Sequence, residues 1–121
     1  MFLETTSERV ARNQSTFRAA NEKIEDAAQV MFDGEQPGRL PFICECPDRG
    51  CTAIALLTFE EYETVRSRGD TFFVVPGDEV CEVDGERVAE VVDRSDRFTV
   101  MAKVGHAAAV AVELDPRATD G

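Results

Sequence analysis

The chain has 121 residues, of which 43% are hydrophobic, and its formal net charge is −11 at pH 7. This length is typical of one globular domain, and the apolar fraction excludes a disordered chain. Nucleic-acid affinity depends on Lys and Arg side chains that neutralise phosphates, so a field this acidic repels a phosphate backbone. We therefore expect no direct binding to DNA or RNA.

The sequence predicts a cytoplasmic protein that does not enter a membrane. Residues 1–13 include Glu4, Glu8, Arg9 and Arg12, which excludes the apolar core of a signal peptide. No apolar run approaches the roughly 20 residues that span a bilayer. In a reducing cytosol, clustered cysteines are more often metal ligands or redox centres than structural disulfides.

Residues 5–33 predict one long helix. Thr5 is a suitable N-cap, and Glu8, three residues later, would complete a capping box. Gly34 is a natural stop for the helix. The charged residues of the segment alternate in sign at salt-bridge spacing, which is typical of a solvated face.

A heptad stripe of apolar residues runs along this helix, with small or polar residues three positions after each of its first three members. It would pack on the protein's own sheet, which we favour, or dock a protein partner or a second copy of the chain. Val10, Phe17 and Ile24 are the candidate partner-binding residues. The stripe consists of Val10, Phe17, Ile24 and Met31, with Asn13, Ala20 and Ala27 between them.

Taken together with this helix, the rest of the chain predicts an α+β fold. The fold has a long N-terminal helix, then a small, mainly antiparallel sheet with one or two short helices, held together by a metal site. The division is a helix at 1–34, a loop at 35–40, a zinc-stabilised domain at 41–114 and a flexible tail at 115–121. The predicted elements after the loop are strands at 40–44, 54–57 and 72–75, a helix at 58–69 that Thr58 and Glu61 cap, a hairpin turn at Asp84-Gly85, strands at 88–92 and 98–104, and a short helix at 106–114.

Cysteines carry the clearest chemical signal. Cys44, Cys46 and Cys51 lie within eight residues, and Cys81 follows the turn at 76–78. Four thiolates suit a tetrahedral Zn²⁺ ion, so the spacing predicts a structural zinc site. On a regular strand, residues two apart share a face but lie too far apart for one metal, so the chain must bend between Cys44 and Cys46.

Catalysis is not expected at these cysteines. A catalytic zinc needs an open coordination position and nearby acid–base groups, and the only histidine, His106, is distant in sequence. No phosphate-binding glycine loop or Gly-x-Ser-x-Gly nucleophile motif is present. The sequence therefore indicates no enzyme and no small-molecule substrate.

A longer pattern covers most of the chain. Its motifs are Arg12-Asn13-Gln14, Phe17-Arg18, Asn21-Glu22-x-Ile24, Phe42-x-Cys44-Glu45-Cys46-x4-Cys51, Leu57-Thr58-x-x-Glu61-Tyr62-Glu63-x-Val65-Arg66, Phe73-x-Val75-Pro76-Gly77, Val88–Val92, Asp96-Arg97-Phe98 and Lys103-Val104-Gly105. In these motifs the chain resembles a family of small actinobacterial proteins. The resemblance implies a metal site and no particular activity.

The resemblance also bears on the fourth metal ligand. It implies a Cys₃His site in which the histidine directly follows the Pro76-Gly77 turn, where this chain has Asp78. Either Cys81 replaces the missing ligand, or Asp78 binds through oxygen. Thiolate is the better match for zinc beside three other thiolates, so we favour Cys81.

We therefore expect a non-enzymatic, zinc-binding adaptor or regulatory protein that acts through protein–protein contacts. Two alternatives remain open. One is a thiol redox sensor that uses the cysteine cluster. The other is an acidic regulator of the transcription or translation machinery.

Overall fold

A computed structural model describes residues 5–33, 35, 38–48 and 50–119. The first element, α1, spans Thr6–Phe32. Thr5 caps it, because its Oγ1 accepts a hydrogen bond of 3.1 Å from the backbone N–H of Glu8. The Glu8 carboxylate contacts His106 rather than the cap, so the predicted capping box is half formed. The predicted stop at Gly34 lies outside the described residues.

Within the described ranges, seven strands form three antiparallel sheets. The elements after α1 are β1 (Leu40–Ile43), β2 (Ile54–Leu57), α2 (Phe59–Arg66), β3 (Thr71–Val74), β4 (Glu82–Val83), β5 (Glu86–Arg87), β6 (Ala89–Arg94), β7 (Thr99–Lys103), α3 (Gly105–Glu113) and a 3-10 helix (Pro116–Thr119). The larger sheet has three strands, with β7 between β3 and β6. Strands β1 and β2 pair with each other in a second sheet, and β4 pairs with β5 in a third. No helix in this part of the chain is both long and apolar enough to cross a membrane.

The predicted α+β fold is confirmed. Each predicted strand and short helix is present, with its ends shifted by a few residues at most. Thr58 and Glu61 form the complete capping box at the start of α2. Asp84 and Gly85 both have positive φ, 53° and 79°, as a two-residue hairpin turn between β4 and β5 requires.

Two apolar clusters meet at the segment that carries the cysteines. In the first, the Phe42 ring stacks on Tyr62 at 4.5 Å between centroids, and Phe73 meets both rings edge-on. The second contains Cys44 and Cys46 and joins α1 to the larger sheet. Its other buried members are Val10, Val74, Val88, Ala89, Met101 and Ala107.

The buried face of α1 is largely polar, which the heptad stripe does not predict. Val10 is buried in the protein's own core, Phe17 and Ile24 are partly buried, and Met31 is exposed. Positions seven residues apart on a straight helix rotate by about 20° per heptad, so each later residue of the stripe points further from the core. This corrects the assignment of Val10 to a partner-binding surface. The buried face consists of Val10, Ala11, Gln14, Ser15, Arg18, Asn21, Glu25 and Ala28.

The expectation of a fully solvated charged face is also wrong for Arg18 and Glu25. Arg18 is fully buried; its guanidinium lies 3.7 Å from the centre of the Phe72 ring and donates to the carbonyls of Gly69 and Thr71. Burial lowers the pKa of Arg18, and the nearby Glu45 carboxylate opposes that shift. These contacts join the helix to the larger sheet.

The C-terminal residues Asp115 and Arg117 are held against the domain, which corrects the prediction of a flexible tail for this part. Asp115 is buried and accepts hydrogen bonds from both terminal nitrogens of Arg66. Arg117 donates to the carboxylates of Glu22, Glu25 and Glu63. The end of the chain therefore ties α1 to α2 by charge-assisted bonds.

Glu25 makes this junction sensitive to pH. Its side chain is 4% exposed, and its Oε2 has no hydrogen-bond partner among the described residues. Burial, and then the neighbouring Glu63, raise its pKa to about 8, although Arg117 opposes the shift. The folded protein therefore binds a proton at Glu25 at pH values where the unfolded chain has released it.

We predict that Glu25→Gln makes folding stability less dependent on pH. With the pKa raised in the folded state, the contribution of Glu25 to wild-type stability falls as pH rises from about 4.5 towards about 8. Glutamine cannot ionise, so the variant should gain on wild type progressively across this window. Urea denaturation at a series of pH values measures the effect, with Asp26→Asn, on the exposed side of α1, as the matched control. A parallel pH profile for Glu25→Gln and wild type would contradict the prediction.

Candidate metal centre

Three thiols and one carboxylate converge where the β1–β2 sheet meets the larger sheet. The Sγ atoms of Cys44, Cys46 and Cys51 and a carboxylate oxygen of Asp78 all lie within 4.8 Å of one another. Cys44 and Cys46 are buried, whereas Cys51 and Asp78 are partly exposed. All four cysteines of the chain are free thiols. These four residues lie close enough to hold a metal ion.

Two sulfur–oxygen separations at the site suit a tetrahedral ion. Zn–S bonds of about 2.3 Å and Zn–O bonds of about 2.1 Å place sulfur and oxygen about 3.6 Å apart in tetrahedral geometry. Asp78 Oδ2 lies 3.5 Å from Cys44 Sγ and 3.4 Å from Cys51 Sγ. Without a metal, these distances allow both thiols to donate hydrogen bonds to the carboxylate. A bound metal would replace the thiol protons, and these two sulfur–oxygen separations already match a tetrahedral site.

Asp78, and not Cys81, completes this group, which reverses the preference drawn from the sequence. The N–H of Asp78 donates to the Val75 carbonyl at 3.0 Å, and this turn directs its carboxylate to the cysteines. The Cys81 carbonyl instead accepts hydrogen bonds from the N–H groups of Val88 and Ala89. That pairing fixes Cys81 beside the second apolar cluster, against which its side chain packs.

The predicted bend between Cys44 and Cys46 is produced by a change of pairing partner. The N–H of Cys44 continues the β1–β2 ladder by donating to the Ala53 carbonyl at 3.0 Å. The next N–H, from Glu45, donates to the Phe73 carbonyl in the larger sheet, also at 3.0 Å. The chain therefore crosses from one sheet to the other within a single residue, and both sulfurs reach the same point.

Three amide side chains of α1 hold this crossing from the opposite side. Asn21 makes paired 2.8 Å hydrogen bonds with the N–H and the carbonyl of Ile43. Gln14 donates to the Glu45 carbonyl at 2.9 Å, and Asn13 donates to the Pro47 carbonyl at 3.3 Å. Sequence reasoning missed this role. The signal was the seven-residue spacing of Gln14 and Asn21, which places two amides on the same helix face as Val10.

Glu45 lies between the two cysteines and points away from them, into the protein. It is fully buried; its carboxylate accepts hydrogen bonds from Asn21 Nδ2 at 2.9 Å and from the Phe73 N–H at 3.4 Å. Burial raises the pKa of Glu45 to about 7, while the Arg18 charge and these two hydrogen bonds oppose the shift. The Cys-Glu-Cys segment thus presents sulfur on one face and a carboxylate on the other.

A compact turn brings the third cysteine to the site. Asp48 Oδ1 accepts a 2.9 Å hydrogen bond from the N–H of Gly50, and the Asp48 carbonyl accepts one of 3.0 Å from the N–H of Cys51. Such side-chain-to-backbone bonds are typical of Asx turns. Around the sulfurs, the Val75 N–H donates to Cys44 Sγ at 3.3 Å, a contact that stabilises a thiolate.

Burial opposes ionisation of the two inner thiols. It raises the pKa of Cys44 and of Cys46; the Val75 N–H opposes the shift at Cys44. Metal coordination requires thiolates, so an ion at this site must displace the thiol protons. The ion's own charge then supplies the stabilisation that burial removes.

The centre has a buried side and an open side. A pocket of about 240 Å³ borders it, with Cys46, Cys51 and Asp78 in its wall. Cys44 is fully buried and does not line the pocket. Solvent therefore reaches the centre beside Asp78, across from Glu45 and α1.

Comparisons with protein-family models, with curated proteins and with solved structures found no match to this chain. The resemblance to small actinobacterial proteins therefore stays a prediction. The interpretation of the site rests on its own geometry.

We predict that Asn21→Ala lowers the unfolding free energy by about 3 kcal/mol, because it leaves the partly buried N–H and carbonyl of Ile43 and the buried Glu45 Oε2 without this partner. Asn13→Ala, the matched control, removes one longer bond at a partly exposed position and should cost under about 1 kcal/mol. Urea denaturation of both variants in one buffer measures the difference. Equal losses would show that α1 does not hold the crossing through Asn21.

Proposed function

We propose that this protein is a non-enzymatic adaptor whose fold is stabilised by a structural Zn²⁺ ion bound to Cys44, Cys46, Cys51 and Asp78. The observation that best supports this proposal is the convergence of their ligand atoms within 4.8 Å. Thiolates favour zinc or other soft transition metals, whereas Mg²⁺ and Ca²⁺ prefer an all-oxygen set. Zinc accepts a carboxylate beside thiolates and needs no particular d-electron geometry.

A structural role agrees better with the surroundings than a catalytic one. Structural zinc sites use four protein ligands, and catalytic ones keep a position open beside acid–base groups. Here four protein ligands converge, and the single histidine, His106, contacts Glu8 on α1. The ion would join the turn at Asp78 to the Cys-Glu-Cys crossing. It would thereby join the larger sheet to the β1–β2 sheet.

Adaptor function requires a surface that a protein partner or a second copy can contact. Val30 and Met31, near the end of α1, are 82% and 76% exposed, and Ile54 and Leu56 on β2 are also exposed. We propose that exposed apolar side chains such as these, rather than the buried Val10, contact the partner. The free thiols and the acidic charge support a cytoplasmic location and contact with proteins rather than nucleic acid.

A thiol redox sensor is the second candidate, and the position of Cys46 and the partly exposed Cys51 in the pocket wall favours it. Peroxide would take two electrons from these thiolates, forming one disulfide and water and releasing the metal. Peroxide treatment that leaves both the metal and the free-thiol count unchanged would exclude this candidate.

We predict that protein purified under reducing conditions, without added metal, contains about one equivalent of zinc per chain. Cys44→Ser, Cys46→Ser and Cys51→Ser should each lower the metal content and the midpoint of thermal unfolding. Cys81→Ser is the matched control and should retain the metal, because Cys81 lies outside the ligand group. Elemental analysis and thermal unfolding, with and without a chelator, measure both effects. Less than about a tenth of an equivalent of zinc or iron would exclude the proposed function.

A further inference from the structure

The ligand set of the metal centre is chemically uneven. Three ligands are soft sulfurs, and the fourth, Asp78, is a hard carboxylate. Thiolate binds zinc and similar metals more favourably than carboxylate does when both can reach the ion. Asp78 is therefore the ligand that another thiol could most readily replace.

The same ligand lies where a molecule from solvent can reach it. The pocket wall contains Asp78 together with Cys46 and Cys51, and its volume of about 240 Å³ is below the range of drug-sized sites. Asp78 is joined to the fold at this point by a backbone turn to Val75, and Gly77 before it has a φ of 100°. Because Asp78 lines the pocket, its carboxylate would leave the metal by side-chain rotation, with this backbone turn kept.

We propose that this pocket binds a small neutral or cationic thiol, which replaces Asp78 as the fourth ligand of the metal. The inference rests on the proposed metal site. The sulfur–metal bond forms, the oxygen–metal bond to Asp78 breaks, the thiol proton passes to solvent, and no electron is transferred. The three cysteines remain bound, so the exchange does not release the ion.

Charge at the pocket determines which thiols fit. Asp48 lines the same pocket beside Cys46 and Cys51, and the released Asp78 carboxylate adds a second negative charge. A carboxylate on the incoming thiol would meet both at short range, whereas an ammonium group would be attracted. Affinity should therefore decrease from cysteamine to 2-mercaptoethanol to thioglycolate, with roughly a tenfold difference between the first and the last.

The test uses the full chain loaded with Co²⁺, whose visible spectrum reports the number of bound thiolates. Titration with 2-mercaptoethanol should shift the d–d bands to longer wavelength and strengthen the sulfur-to-cobalt charge transfer, with the cobalt still eluting with the protein on gel filtration. Ethylene glycol, which has the same shape without sulfur, should change nothing. The three thiols should follow the order given above, and the difference should shrink at high salt.

Two variants sharpen the result. Asp78→Cys should show the four-thiolate spectrum from the start and no response to added thiol. Cys81→Ser should respond as wild type does, because Cys81 lies outside the ligand group. An unchanged wild-type spectrum with cobalt still bound, or removal of cobalt by the thiol, would overturn this inference and leave the metal site standing. Failure to bind cobalt or zinc at all would instead overturn the proposed function.

Discussion

The fold depends on one crossing of the chain, at Cys44-Glu45-Cys46, where backbone groups bond to two different sheets in succession. A segment of this kind leaves its remaining polar groups without a regular ladder, and buried groups without partners are costly. The amides of Asn13, Gln14 and Asn21 supply those partners. A helix face that supplies these hydrogen-bond partners cannot be apolar. This explains why α1 buries polar side chains, which would ordinarily lie in solvent.

Once Glu45 is buried there, charge has to be balanced around it. Arg18 supplies an opposing charge and lies on the Phe72 ring, while Asp115 approaches Arg18 to 3.8 Å and pairs with Arg66. A buried charge that loses its partner costs several kcal/mol, about 3–5 in typical cases. The C-terminal residues are therefore part of the same electrostatic arrangement as the helix, although about 70 residues separate Glu45 from Asp115 in sequence.

Local signals predicted the elements well, because their causes are local: the Thr58 capping box, the Asp84-Gly85 turn and the strand patterns each act within a few residues. The three clustered thiols were also predictable as a group. The stripe through Val10 and Met31 was misleading, since a perfect heptad drifts on a straight helix. The spacing of Gln14 and Asn21 places both amides on the Val10 face of α1, but it does not identify the backbone groups that they bind. The choice of Asp78 over Cys81 does not follow from spacing either, because it depends on how two sheets meet in space.

The metal centre and the helix act on opposite faces of one short segment. Sulfur on one face of the crossing would bind the ion, and the backbone and carboxylate on the other face bind α1. Each set of contacts fixes the geometry that the other requires, because a shift of Glu45 towards the helix would draw both inner sulfurs away from Asp78. The segment that carries the inner ligands is bonded to the helix, whereas Asp78 lies on the pocket side of the centre. With a metal bound, this division would let one site combine structural stability with an exchangeable ligand.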